Sequence, residues 1–245
     1  MTRNCFDLNF VIAIMSSSQP YRFIPTEDRV SSIPDSILSF LPTKDSVATS
    51  VLSKQWNPLW LLVLDLNFDS QTFKDYITFS HVVYLVIVSR EITLPIRSLC
   101  LKFGKEYSIN DINRFINAAI QRGIENLDID MLEDVNGLTS SIFSCKTLTV
   151  LKLLKNLFVK DDNYQVDLPL LKVLCIDIMR FSYQATITKF FLGCPVIEEL
   201  RTKIAAFYLR KLNPETPNLM RTSIPSQYIS LYFLSRVEIL RLNMA

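Results

Sequence analysis

The chain has 245 residues, of which 49% are hydrophobic and 20% are charged, with a formal net charge of +2. This composition predicts a globular protein with a substantial core, organised as one large domain and one small one. The lysines and arginines are scattered, so neither nucleic acid nor an anionic membrane surface is predicted as a partner. The five cysteines form an odd set without a C-x-x-C pair. They therefore indicate reduced thiols, in the cytoplasm and/or the nucleus, rather than a disulfide framework or a zinc site.

Residues 1–24 are predicted to be a poorly ordered N-terminal extension. Their apolar run, Phe10 to Met15, is shorter than a secretory signal needs, and Asp7 interrupts the stretch before it. Farther along, the apolar run Val82 to Val88 is too short to span a bilayer. We therefore expect a soluble protein.

Residues 28–60 contain three short helical patterns, separated by prolines and without a single glycine. Pro34 lies in the first turn of the first pattern, where its missing N–H costs nothing, and Pro42 closes that pattern. Thr43 is then positioned to cap a second helix with one apolar stripe. The apolar surface is too large for so short a segment to bury by itself, which favours packing against a partner. The alternative is that the stripes only pack on one another as an ordinary helical subdomain.

The order of residues in this segment carries a family resemblance. It reads I-P-D, then I-L-S-F-L-P-T-K, then T-S-V-L-S-K-Q-W, and then L-W. This closely resembles the F-box of the large plant family of F-box proteins with leucine-rich repeats, whose pattern runs L-P-D, I-L-S-F-L-P-T-K, T-S-x-L-S-K-R-W and L-W. The resemblance implies that residues 25–70 form an F-box that docks the Skp-type adaptor of a cullin–RING ubiquitin ligase. The implied adaptor-binding residues are Ile33, Pro34, Leu38, Leu41, Pro42, Val47, Leu52 and Trp56.

One departure from the family pattern leaves two functions open. Between Asp35 and Leu38 the chain is about four residues shorter than the pattern, which is close to one helical turn. A lost turn buries less apolar area and would weaken adaptor binding by about a few kcal/mol. The chain is therefore either the substrate-recognition subunit of an SCF-type ubiquitin ligase, or a repeat-based interaction scaffold or decayed paralogue whose shortened F-box no longer binds the adaptor.

The rest of the chain repeats itself. The pattern L-x-x-L-x-L recurs at intervals near the roughly 20–29 residues of leucine-rich repeats, and the second half of each unit alternates as a strand with one buried face does. The units begin at Ile96, Ile124, Leu148 and Leu171, with a weak one at Ile197, another at Val237 and a degenerate one expected near Leu219 to Ile224. Between the first two units lies an amphipathic helical pattern with Asn110 as its expected N-cap and Gly123 at its end.

These features predict an α/β (mixed α+β) chain: a small all-helical F-box followed by a leucine-rich-repeat solenoid over residues 71–245. Parallel strands would lie on the concave side, with helices or irregular segments on the convex side. The family often carries a further C-terminal domain of the FBD type, of which this sequence shows no convincing trace.

In such a solenoid the residues between the core positions of each strand face the concave side. Their mixed character suits a protein target better than a small molecule. The expected target-binding residues are Lys102, Asn126, Asp128, Asp130, Lys152, Asp177, Arg201 and Lys203.

No enzyme site is predicted. The single histidine, His81, has no nucleophile and orienting acid beside it in the sequence, and the four glycines are too widely separated for a nucleotide-binding loop. The acidic cluster from Asp128 to Asp134 lacks the order of a calcium-binding EF-hand. We expect no cofactor and no metal, and a non-catalytic subunit that acts by holding a target protein near a ligase, with a cullin reached through the adaptor.

Overall fold

The structure is a computed structural model, which describes residues 41–48, 59–88, 93–132, 135–159, 165–181, 192–202, 218–225 and 238–243. The predicted N-terminal extension and the first helix of the F-box segment lie outside these residues. Within them are three α-helices: α1 (Thr43–Ala48), α2 (Tyr76–Val83) and α3 (Ile109–Ile120). Short 3-10 turns span Leu59–Leu62, Ser70–Thr72 and Ser140–Ser144, and a π-helical turn, Tyr84–Val88, follows α2.

In the described residues, nine strands form one parallel sheet. Its path runs β1-β2-β3-β5-β6-β7-β8-β9, with the short β4 pairing beside β5. The strands are β1 (Asp65–Asp69), β2 (Ser98–Phe103), β3 (Asn126–Met131), β4 (Val135–Asn136), β5 (Val150–Val159), β6 (Val173–Phe181), β7 (Glu199–Thr202), β8 (Arg221–Pro225) and β9 (Ile239–Asn243). The predicted mixture of helices with a parallel sheet is confirmed.

The repeated leucines and isoleucines are the positions that the sheet buries. In the register, Leu99, Leu127, Leu151 and Leu174 lie side by side on successive strands, and all four are fully buried. The buried face of α3 joins the same core cluster. Each such side chain contributes about 1.5–3 kcal/mol when it is fully buried. One face of the sheet therefore carries the core, and the other face is left for polar residues.

Local signals explain how α3 is placed. The helix begins one residue before the predicted cap Asn110, because Ser108 has extended backbone angles and its hydroxyl accepts the N–H of Asp111 at 3.4 Å. After the helix the chain turns at Gly123, whose φ of 74° lies in the left-handed region that favours glycine.

The sheet begins earlier than the repeat pattern predicted. Strand β1 lies within the residues assigned to the F-box, and it pairs in parallel with β2 from Asp65↔Ser98 to Asp69↔Lys102. Its Leu66 and Phe68 alternate into the core. Strand β8 lies in the wide interval where a degenerate unit was expected near Leu219 to Ile224, and it pairs in parallel with β9.

Helix α1 closes the outer edge of β1. The Thr43 hydroxyl, expected to cap its own helix, accepts the backbone N–H of Asn67 at 2.6 Å. The Lys44 ammonium donates to the Thr72 carbonyl at 2.9 Å, and Val47 and Trp60 belong to the same core cluster as the sheet. An exposed edge strand is a template for unwanted pairing, so this contact protects it. Part of the apolar surface of the helical segment thus packs on the chain's own sheet.

Within the described residues, no helix is long and apolar enough to cross a membrane.

Candidate functional site

The sheet face opposite the core carries six of the eight predicted target-binding residues. We call it the polar face; its members alternate with the buried leucines and isoleucines along the strands. They are Asp65, Asn67 and Asp69; Ser98, Cys100 and Lys102; Asn126, Asp128 and Asp130; Val150, Lys152 and Leu154; Val173 and Cys175; Glu199 and Arg201; and Arg221 and Ser223.

The register sets these residues in rows across the strands. Lys102 lies beside Asp130, and Asp128 lies between Cys100 and Lys152. The Lys152 ammonium is 3.2 Å from the Asp128 carboxylate, an ion pair with both side chains partly exposed. Such a pair contributes about 0–1 kcal/mol to folding, so its residues remain available to a partner at small cost.

Two of the predicted target-binding residues are not placed on the polar face by the described side chains. Asp177 lies in β6, beyond the part of that strand whose side chains are described. Lys203 follows β7 and lies outside the described residues. Their predicted roles stay predictions.

The densest set of charges on the polar face surrounds Glu199. Its side chain is only 13% exposed, and its two carboxylate oxygens accept from two arginines, Arg201 Nε at 2.5 Å and Arg221 Nε at 3.1 Å. Partial burial raises the pKa of Glu199, but the hydrogen bonds and charges of the arginines outweigh it, so that the pKa lies below its ordinary value. Glu199 is therefore a carboxylate at neutral pH.

Arg221 was not among the predicted target-binding residues. Arg221 opens β8, the one repeat unit whose leucine pattern is degenerate, so its register against β7 was not evident. In the structure Glu199↔Arg221 are direct neighbours across the two strands. The charge pattern E-L-R at Glu199 to Arg201, facing an arginine one unit later, is the signal that points to it once the strands are aligned.

The thiols on the polar face are poor nucleophiles. Burial, with a further contribution from the nearby Asp128 charge, raises the pKa of the Cys100 thiol to about 11. Burial likewise raises the pKa of Cys175 above its ordinary value. Both remain protonated at neutral pH, which makes thiolate chemistry at this face unfavourable.

The proposed adaptor surface is described only in part. Ile33, Pro34, Leu38, Leu52 and Trp56 lie outside the described residues. At the start of α1, Leu41 is 37% exposed and Pro42 is exposed. Val47, by contrast, is 3% exposed and packs into the core. Its side chain contacts this chain rather than solvent.

The side chains considered for catalysis or metal binding are not assembled into such a site. His81 lies exposed on α2. Asp128 and Asp130 share the polar face, while Glu133 and Asp134 lie outside the described residues. Among the residues that the structure does describe, no group of three or more His, Cys, Asp or Glu is arranged to hold a metal ion.

No family model matches the chain, but curated proteins of similar sequence are found. Among the curated relatives, all from Arabidopsis thaliana, an F-box/FBD/LRR-repeat protein is 37% identical over 182 residues, or 71% of this chain and 43% of the relative. An FBD-associated F-box protein is 35% identical over 211 residues, 80% of this chain and 47% of the relative. An F-box/LRR-repeat protein is 36% identical over 187 residues, 71% of this chain and 49% of the relative. The chain thus spans less than half the length of these relatives.

Proposed function

We propose that the chain is the substrate-recognition subunit of an SCF-type cullin–RING ubiquitin ligase. It is related by sequence to plant F-box proteins with leucine-rich repeats, as its own motifs predicted. The observation that carries the proposal is the ordered F-box pattern of residues 33–60, supported by relatives whose names include an F-box. In this role the chain performs no chemistry. It would raise the local concentration of a target protein beside the ligase.

The adaptor would dock on the F-box proposed for residues 25–70. Leu41 and Pro42 support this, because they are apolar and exposed at the start of α1. Val47 contributes indirectly in this proposal: its burial fixes α1 against the sheet, and α1 in turn presents Leu41. The other proposed contacts are Ile33, Pro34, Leu38, Leu52 and Trp56.

The target would bind on the polar face. We propose that the parallel sheet is the inner wall of a leucine-rich-repeat solenoid; in support, its main strands pair in the order of the chain, with one buried leucine row shared by successive units. Charged and polar side chains then stand in rows that a protein segment can follow.

An adaptor pull-down tests the proposal. The full chain should be retained by an immobilised Skp-type adaptor, and Leu41→Asp and Trp56→Ala should reduce retention about tenfold or more, because each removes an apolar contact worth about 1.5–3 kcal/mol. Leu170→Asp is the matched control, since Leu170 is also exposed but lies before β6, far along the sheet from α1. Failure of the unmodified chain to bind, or equal retention of all variants, would rule the proposal out.

The first helical pattern of the sequence, about four residues shorter than the family's, supports a second candidate, a repeat-based scaffold that no longer engages the adaptor. The two are separated by inserting four residues after Asp35, which would restore about one helical turn. If the helix limits docking, the insertion strengthens adaptor binding. If the chain is a scaffold, the original chain is not retained, and retention of the lengthened chain alone would identify the missing turn as the reason.

A further inference from the structure

Strands β5 and β6 extend farther than the strands beside them. They have ten and nine residues, whereas β3 has six and β7 has four. The whole of β7 pairs with the first four residues of β6, and the last of these pairs is Ile176↔Thr202. Residues 177–181 of β6 therefore continue beyond the end of β7, over about 17 Å at about 3.3 Å per residue.

The extended part of β6 is paired along one side only in the described residues. Its residues 178–181 pair with residues 156–159 of β5, after a register shift between Leu153 and Asn156. The short β4 in turn pairs with β5 on the side away from β6. On the side of β7, no strand within the described ranges pairs with residues 177–181. We call this side of residues 177–181 the open edge, since its N–H and C=O groups have no strand partner in that part of the chain.

The sequence of the open edge has few of the features that protect an edge strand. It reads D-I-M-R-F, with no proline or lysine and with three apolar residues of five. Natural edge strands are usually very short, covered, or interrupted by proline or lysine, because unpaired main-chain groups are a template for another strand. The first strand of the sheet has such protection, since α1 covers β1. The open edge has no comparable cover among the described residues.

We propose that an extended segment of the target protein pairs with the open edge of β6 as an additional strand. The chemistry of the edge selects this partner, because alternating N–H and C=O groups are complementary to an extended polypeptide main chain. The position is continuous with the polar face, since a strand paired there lies in line with β7, directly beyond Arg201 and Thr202. The Arg201 side chain is 58% exposed at this point. A target segment can thus leave the polar face and continue along β6.

This inference deepens the proposed function and rests on it. Main-chain pairing at the open edge supplies affinity for any extended segment, while the side chains of the polar face supply selectivity. It also gives a reason for the unequal strand lengths, because the part of β6 that extends past β7 is the part that offers unpaired main-chain groups.

Hydrogen exchange of the free full chain is the first measurement. Successive residues of a strand point their N–H groups to opposite sides, so of Met179 and Arg180 one amide pairs with β5 and the other lies on the open edge. The edge amide should exchange about tenfold or more faster than its neighbour. Slow exchange of both amides would overturn the inference. If it is independent of protein concentration, the chain covers its own edge; if it appears only at high concentration, a second copy does.

Peptide binding is the second measurement. The probes are two fluorescent pools of hexapeptides, degenerate in valine, isoleucine, threonine and tyrosine, and the second pool is N-methylated at every main-chain amide. Anisotropy should show that the full chain binds the methylated pool about tenfold or more weakly, because two or more main-chain hydrogen bonds are lost. Equal binding of the two pools, or binding of neither, would overturn the inference.

Proline substitutions locate the binding on β6. Met179→Pro and Arg180→Pro are compared with the matched controls Met179→Ala and Arg180→Ala, which keep the N–H. The proline that removes a hydrogen bond to β5 should lower the melting temperature, whereas the proline on the open edge should leave it close to that of its alanine control. This edge proline should weaken binding of the unmethylated pool about fivefold or more relative to alanine, and equal binding would overturn the inference. Adaptor retention should be unchanged in the same variant. If the adaptor is not bound but pool binding depends on the edge, the ligase proposal fails and the strand-pairing site stands.

Discussion

The contact between Thr43 and Asn67 allows the junction of the helical segment and the sheet to be tested with a single atom replacement. Thr43→Val keeps the shape of the side chain but removes the oxygen that accepts the Asn67 N–H at 2.6 Å. Thr43 is 2% exposed, but Asn67 is exposed and the bond between them is only partly buried. The loss of such a hydrogen bond costs about 0.5–1.5 kcal/mol. Since about 1.4 kcal/mol corresponds to a factor of ten, the protection of the Asn67 amide against hydrogen exchange should fall about 2- to 12-fold.

Hydrogen exchange read at individual amides is the assay, because it reports this one bond. Thr43→Ser is the matched control: it keeps the hydroxyl and loses one methyl group, worth about 0.8 kcal/mol of burial. Amides in the middle of the sheet, such as that of Leu151, should be affected less than Asn67. If Asn67 exchanges equally slowly in the valine and serine variants, the hydroxyl does not hold β1 and the account of α1 as its edge cover is wrong.

Three further outcomes follow from burial, close approach and charge. In urea titrations, Phe79→Ala should lower the free energy of unfolding by about 3–5 kcal/mol, because the ring is fully buried against two other phenylalanine rings. The control Ile77→Ala, on the exposed side of α2, should change it by less than about 0.5 kcal/mol. In thermal melts, Gly193→Ala should destabilise the fold by about 1–3 kcal/mol, since the new Cβ would lie 2.3 Å from a backbone carbonyl oxygen. The control Gly104→Ala should be tolerated, because its Cβ would meet only a hydroxyl at 3.5 Å. The pKa of Glu199, followed by NMR at its carboxyl carbon, should lie below the ordinary value of 4.5, because its two arginine partners outweigh its partial burial. The folding stabilisation from this carboxylate is therefore complete above about pH 4.5 and is lost as the pH falls through the lowered pKa. A titration midpoint at or above 4.5 would contradict the pairing of Glu199 with the two arginines.

The repeat pattern predicted most of the sheet because burial imposes it. Leu99 and Leu101, or Leu127 and Ile129, alternate with polar residues only if one face of each strand is covered, and that alternation is visible in a single sequence. Strand β1 was not predicted, because its alternation extends over only five residues and comes soon after the F-box motif.

The ion pairs of the polar face were harder to foresee, since they depend on which residues become neighbours across strands. The leucine pattern fixes the register of β3 against β5, and with it the pairing of Asp128 and Lys152. The unit containing Arg221 has a degenerate pattern, so its proximity to Glu199 required the structure. The bond between the Thr43 hydroxyl and β1 was equally hard to predict. A short polar side chain can accept a hydrogen bond from its own helix or from a neighbouring element, and the tertiary structure decides between them.

The two faces of α1 limit how this helix can contribute to docking. Thr43, Ser46 and Val47 are buried, whereas Asp45 is exposed within the helix and the apolar Leu41 and Pro42 are exposed just before it. Moving the Val47 side chain out of the core to contact an adaptor would cost about 1.5–3 kcal/mol of folding free energy. Burial of the same side chain against the adaptor would stabilise the complex by a comparable amount, so there is no net gain. Any adaptor affinity must therefore come mainly from the residues on either side of α1. The first helical pattern, which the sequence makes about four residues shorter than the family's, then limits docking more than it would if α1 offered its own apolar side chains. The four-residue insertion after Asp35 is therefore expected to strengthen adaptor binding strongly.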